Sequence, residues 1–194
     1  MTDTVSMSKG EIISLTKKAL GLTKVFAGAG WDVKKDGASM DLDLAAFLLD
    51  ANDKLSGAGD FVYFGHKASK CGSVASRGDN LTGEGEGDDE VIDVNLSTVP
   101  SNITGILFVA SIYQGKQKGQ SLKDLDNAFI RIVNAENQQE LANYKITDTN
   151  SDHESFVLGK LVRDGSDWNF VAIGEADASE LGGIAQRFGL QVAA

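Results

Sequence analysis

The sequence predicts a mainly β fold, an antiparallel β-sandwich with a short C-terminal helix. Three observations lead there. Apolar residues fall in about ten short runs, alternating or unbroken, with turn-forming clusters between them. These runs do not alternate with helix-period segments, so the βαβ pattern of a parallel sheet is missing. Sustained helical spacing comes after Ala178, where Leu181, Ile184, Ala185 and Phe188 recur, weakened by Gly182-Gly183.

Taken in order, residues 1–8 are polar and read as a loosely held extension, with Met7 a second candidate start. Ile12, Ile13 and Leu15 hint at a first strand. Val25–Val33 is a glycine-softened strand carrying Trp31; Gly28 and Gly30 are no dinucleotide fingerprint, because no helix follows them. Met40–Leu49 is the clearest strand. Met40, Leu42, Leu44, Ala46 and Leu48 share one face, and Asp41 and Asp43 share the other with Ala45, Phe47 and Leu49. Asn52–Lys54 reads as a turn, Asp60–Phe64 as an aromatic strand and Val91–Leu96 as a further strand. Ile103–Tyr113 is almost continuously apolar, as a strand with a buried face requires. Gln114–Asn127 is polar, with a helical turn near Leu122–Leu125. Ala128–Val133 and Glu140–Thr147 form a hairpin, and Ser155–Arg163 and Trp168–Gly174 flank the turn Asp164-Gly165-Ser166-Asp167. With 194 residues, no repeat and no linker, the chain reads as one domain over 1–194.

Composition narrows the function. There are 28 acidic against 18 basic residues, a net charge of −10, and this argues against a nucleic-acid partner, which needs a basic footprint. No apolar run approaches the length of a membrane span, and the N-terminus has no signal-peptide core. A single cysteine, Cys71, excludes an internal disulfide and fits a reducing compartment, so the expected location is the cytoplasm. Two histidines and one cysteine are too few for a closed zinc site.

One stretch stands apart. Gly78–Glu90 (GDNLTGEGEGDDE) packs six carboxylates and four glycines into thirteen residues. Like charges this close repel, and glycine adds a backbone entropy cost, so the segment is either a solvated loop or one folded by a cation. Alternating glycines let several oxygens face one point, and an all-oxygen cage of this kind suits calcium better than magnesium. It is no EF-hand: the nearest start, Asp50-Ala51-Asn52-Asp53-Lys54-Leu55, has lysine and leucine where a ligand and glycine belong. Asp41 and Asp43 are either a solvated strand end or part of the same oxygen set, and Asp32 ends the preceding strand on what would be the same rim.

The loop and its flanks resemble the TerD family of tellurite-resistance and stress-response proteins. The resemblance runs from Ser8 onward. It is carried by Leu15-Thr16-Lys17, Gly30-Trp31-Asp32, Asp41-Leu42-Asp43, the whole of Gly78–Glu90, Asn127-Ala128-Phe129-Ile130-Arg131 and Leu181-Gly182-Gly183. It implies a cytoplasmic β-sandwich that binds calcium, typically two ions, without an established enzymatic activity. The ligands it implies are Asp79, Asn80, Glu84, Asp88, Asp89 and Glu90 from the loop and Asp32, Asp41 and Asp43 from the strand ends. Backbone carbonyls of Leu81, Gly83 and Gly85 add further oxygens. Other tellurite-resistance or stress proteins are the implied partners.

The expected function is therefore a calcium-ordered structural or interaction module, not an enzyme. The alternative is a divalent-metal phosphoesterase or a metal-bridged binder of a nucleotide or oxyanion. The first would need a phosphate clamp, for which Arg77 is the nearest arginine, and the second would use the basic residues of His66–Lys70 or Lys116–Lys118.

Overall fold

The structure is a computed structural model that describes residues 5–35, 38–78, 87–147 and 149–191. In chain order its strands are β1 (Ser6–Met7), β2 (Ile12–Ser14), β3 (Lys24–Val33), β4 (Leu42–Leu49), β5 (Phe61–Val62), β6 (Val74–Ser76), β7 (Glu90–Asn95), β8 (Gly105–Ile112), β9 (Leu125–Asn134), β10 (Glu140–Ile146), β11 (Ser155–Asp164) and β12 (Asp167–Asp177). The helices are α1 (Leu15–Lys18), α2 (Gly115–Lys118) and α3 (Leu181–Arg187). Two six-stranded sheets result, ordered β1-β10-β9-β3-β7-β6 and β2-β12-β11-β8-β4-β5. Their pairings are antiparallel except β1 with β10.

The sequence periodicity explains the layers. Val25, Ala27, Ala29 and Trp31 of β3 face Leu42, Leu44, Ala46 and Leu48 of β4 in the core between the sheets. The other face of β4 is also covered: Ala45, Phe47 and Leu49, with Leu107 and Val109 of β8, pack beneath Ile184 and Ala185 of α3. Burial on both faces is why β4 and β8 read as nearly continuous apolar runs. The terminal helix thus makes a second, smaller core on one outer face of the sandwich.

Four local details depart from the sequence reading. Ser6–Met7, expected to be loose, pairs in register with Asn143–Tyr144, and Met7 is buried at the core edge. The strand expected over Ile12–Leu15 stops at Ser14, where Leu15 starts a helical turn. The aromatic strand pairs only over Phe61–Val62, because Tyr63 and His66 exchange backbone hydrogen bonds in a tight turn. The edge strand β6 was not anticipated, since only Val74 and Ala75 in it are apolar. Asp43 lies on the outer face of β4, as expected, and is buried, so it is no solvated strand end; Asp41 immediately precedes the strand.

Candidate metal centre

One end of the sandwich gathers the end of β3, the start of β4 and the start of β7. Three consecutive acids leading into β7 fix it. Asp89 donates its backbone N–H to the Ala29 carbonyl at 2.8 Å, and its Oδ2 accepts from the Trp31 N–H at 2.8 Å. The β3–β7 ladder ends at Ala29↔Glu90, so the Asp89 side chain continues it by one more bond. Glu90 crosses the sandwich: its Oε2 accepts from the Leu44 N–H of β4 at 2.7 Å. This carboxylate joins the two sheets beside Asp43. The Trp31 indole reaches the same region, with Nε1 3.4 Å from the Met40 carbonyl.

Asp88 has a different partner. Arg131 of β9 grips it with Nε on Oδ1 at 2.7 Å and Nη2 on Oδ2 at 2.8 Å, and its Nη1 reaches Glu140 Oε2 at 3.1 Å. Two-pronged pairing of this kind is stronger and more directional than a single ion pair. The hydrogen bonds to Asp88, foremost, and to Glu140 hold the guanidinium more firmly protonated than usual, against the opposing effect of partial burial.

The approach of Asp88 depends on glycine. A Cβ on Gly28 would collide with the Asp88 carboxylate, and one on Gly30 would meet the Phe129 ring and the Gly87 carbonyl. The glycines that soften β3 therefore let Gly87 and Asp88 lie directly on its outer face. Beside them Phe26 is buried under two guanidiniums, with Arg77 at 4.7 Å and Arg131 at 5.9 Å from its ring centroid.

The expected ligands therefore divide by position. Asp41, Asp43, Asp89 and Glu90 sit on the facing strand ends, with Asp43 and Glu90 at 4% and 5% exposure. Asp88 is adjacent but clamped by Arg131. Asp32 is exposed and accepts from Asn127 Nδ2 at 2.5 Å across the β3–β9 pair. Asp79, Asn80, Leu81, Gly83, Glu84 and Gly85 lie outside the described residues. Among the described residues, no group of three His, Cys, Asp or Glu side chains is gathered closely enough to hold an ion alone. The donors present are all oxygens, which suits a hard cation.

Sequence reasoning missed Arg131 as the loop clamp, although it ends the motif Asn127-Ala128-Phe129-Ile130-Arg131. Arg77, the nearest arginine for a phosphate, is occupied by Asp93 through bonds of 2.8 and 2.6 Å. Cys71 is exposed; burial raises its thiol pKa, but hydrogen bonds with Ser69 and Ser73 outweigh that and lower it. Among the described residues no helix is long and apolar enough to cross a membrane.

Comparison with known proteins agrees with this architecture. Residues 3–188 match the TerD domain. General stress protein 16U of Bacillus subtilis is 44% identical over 191 residues, covering 97% of this chain and 99% of that protein. Tellurium resistance protein TerD of Serratia marcescens is 41% identical over 187 residues, covering 96% and 97%. A crystal structure of a TerD homologue from Streptomyces coelicolor superposes with a TM-score of 0.66 at 19% identity, covering 88% of this chain and all of that one, a likeness of fold alone. With a matching domain over most of its length and two relatives above 40% identity, the chain belongs to the TerD family.

Proposed function

We propose that this protein is a calcium-binding, non-enzymatic stress-response module of the tellurite-resistance type, whose acidic end is ordered by calcium. The observation that carries the reading is the burial of Asp43 and Glu90 on facing strand ends, beside Asp41 and Asp89, with the acidic glycine-rich stretch 79–86 shortly before Asp89 and Glu90 in the sequence. Carboxylates held at low exposure on neighbouring strand ends repel one another, and a cation shared with the 79–86 segment would offset that repulsion. Oxygen-only donors in adaptable backbone favour calcium, which accepts roughly six to eight oxygens, over magnesium, which keeps its waters.

In this reading Asp41, Asp43, Asp89 and Glu90 supply oxygens from the sandwich, and Asp79, Asn80 and Glu84, with the carbonyls of Leu81, Gly83 and Gly85, supply the rest for two ions. Asp32 and Asp88 border the site, the latter anchoring the loop through Arg131. Calcium supplies positive charge. The chain supplies a rigid floor, because Asp89 and Glu90 are already fixed to β3 and β4 by backbone hydrogen bonds. The ordered end is then a defined surface for other tellurite-resistance or stress proteins in the cytoplasm. The names of the relatives, stress and tellurium-resistance proteins and not enzymes, support the non-enzymatic part of the reading.

Calorimetric titration of chelator-stripped protein tests it. The expected result is saturable calcium binding near two ions per chain, little response to magnesium, and weakening as pH falls toward about 4, where the carboxylates protonate. Absence of saturable calcium binding would overturn the proposal.

A further inference from the structure

The carboxylate face of β4 borders a second feature that the acidic end does not use. A cavity of about 570 Å³ opens beside Asp43, between the end of β8, the turn after β5 and the start of α3. Its walls are an aromatic series. The Phe61 and Tyr63 rings stack at 4.5 Å, Phe64 meets Tyr63 edge-on at 5.2 Å, and Tyr113 meets Phe64 edge-on at 5.6 Å. Phe64 and Tyr113 are each 41% exposed, although they are large and apolar. Leu181 and Leu190 complete the apolar lining.

Carboxylates outnumber basic side chains in this lining. Among the described residues that line the cavity, the carboxylates are Asp43, which is buried, and Glu180, which is exposed; His66 is the basic side chain there, and neither lysine nor arginine contributes. The Tyr113 ring already draws a cation, because the Lys118 ammonium lies 5.2 Å from its centroid. The frame is fixed as well: the Tyr113 N–H is bonded to the Asp41 carbonyl at 2.8 Å, and Asp43 faces Ser111 across the β4–β8 ladder.

From these observations we propose that the cavity binds a small organic cation, an ammonium carried on an aromatic or alkyl body. Its volume falls in the range of small-molecule sites, which are mostly apolar with a few placed polar groups. The ring faces attract a cation through their quadrupoles, and the two lining carboxylates disfavour anions. The site goes beyond calcium binding, sharing Asp43 with the acidic end, while the rings and Glu180 belong to the cavity alone.

The test is calorimetric titration of the full chain with 2-phenylethylamine, 2-phenylethanol and 3-phenylpropionate, in chelator and then in calcium. The expected result is saturable binding of the amine, about tenfold tighter than the alcohol, with the acid weakest. Tyr113→Leu and Phe64→Leu, each melt-checked for folding, keep an apolar wall but remove a ring. Each should weaken the amine about tenfold and leave the alcohol nearly unchanged. Glu180→Gln should weaken the amine selectively. Equal affinity for amine and alcohol, no saturable amine binding in either condition, or wild-type amine affinity in both leucine variants would overturn the proposal. The chelator arm keeps this outcome separate from failure of the calcium reading.

Discussion

The two ends of the sandwich solve the same problem with opposite charges. Strand ends leave backbone groups without ladder partners, and these must be satisfied. At the end where β11 finishes and β8 begins, Arg163 does this for carbonyls: Nε bonds the Ile103 carbonyl at 3.1 Å, and Nη2 bonds those of Val99 and Pro100 at 2.9 and 3.2 Å. Its guanidinium also lies 4.5 Å from the Trp168 ring centroid. At the opposite end carboxylates serve amides, Asp89 for Trp31 and Glu90 for Leu44. At the first end one arginine binds three of these carbonyls. The second closes its amides with anions, and Arg131 pairs with the neighbouring Asp88. The difference is that the first end uses a cation of the chain, whereas the proposed reading gives the second a cation from solution.

The largest effect should come from breaking the arginine-bound end. Arg163→Ala removes three hydrogen bonds and a stacked cation, and should cost about 3 kcal/mol in chemical denaturation. The loss should be the same in calcium and in chelator. A calcium-dependent loss would mean that the two ends are coupled and the contrast is wrong.

Adding calcium sharpens the comparison from the other side. At about a hundredfold above its dissociation constant, one ion should add about 2.7 kcal/mol, a rise on the order of 5–10 °C in melting temperature for a chain of this size. The same titration on Arg163→Ala should give the same rise.

Glu90→Gln separates the two roles of the acidic end. Glutamine keeps an oxygen for the Leu44 N–H and removes one charge from a repelling cluster. The calcium-free melting temperature should therefore stay the same or increase. Calcium affinity should fall by roughly tenfold, about 1.4 kcal/mol. A large calcium-free loss with unchanged affinity would make Glu90 a structural residue and not a ligand.

These predictions follow the line between what the sequence displays and what it hides. The strong runs of β4 and β8 were legible because burial leaves a pattern in consecutive residues. The acidic loop and its flanking Asp41 and Asp43 were legible as an accumulation of one charge. Arg131 was not, because its pairing with Asp88 joins β9 to a segment distant in sequence, and nothing local encodes that contact. Gly28 and Gly30 were visible as glycines, but their reason, the Gly87–Asp88 backbone and carboxylate lying on them, belongs to the fold. β6 and β1 carry too few apolar residues to show a period, and their pairing comes from the neighbouring strand edge.

The smallest expected effect tests whether the acidic end's negative character reaches its outer rim, where Asp177 closes β12 just before α3. Burial raises the pKa of Asp177, but the hydrogen bond from Arg187 and that from the Ser179 N–H outweigh it, and the net shift is downward. A carboxylate with a folded pKa below its unfolded value adds stability above the unfolded value, near pH 4, and loses it as pH falls through the lower folded value. Arg187→Ala should therefore destabilise by about 0.5 kcal/mol at neutral pH, in keeping with an exposed pair, and by progressively less below about pH 4. Urea melts at pH 7 and pH 3 measure the difference. An equal loss at both would show that Arg187 acts through packing and not through the charge on Asp177.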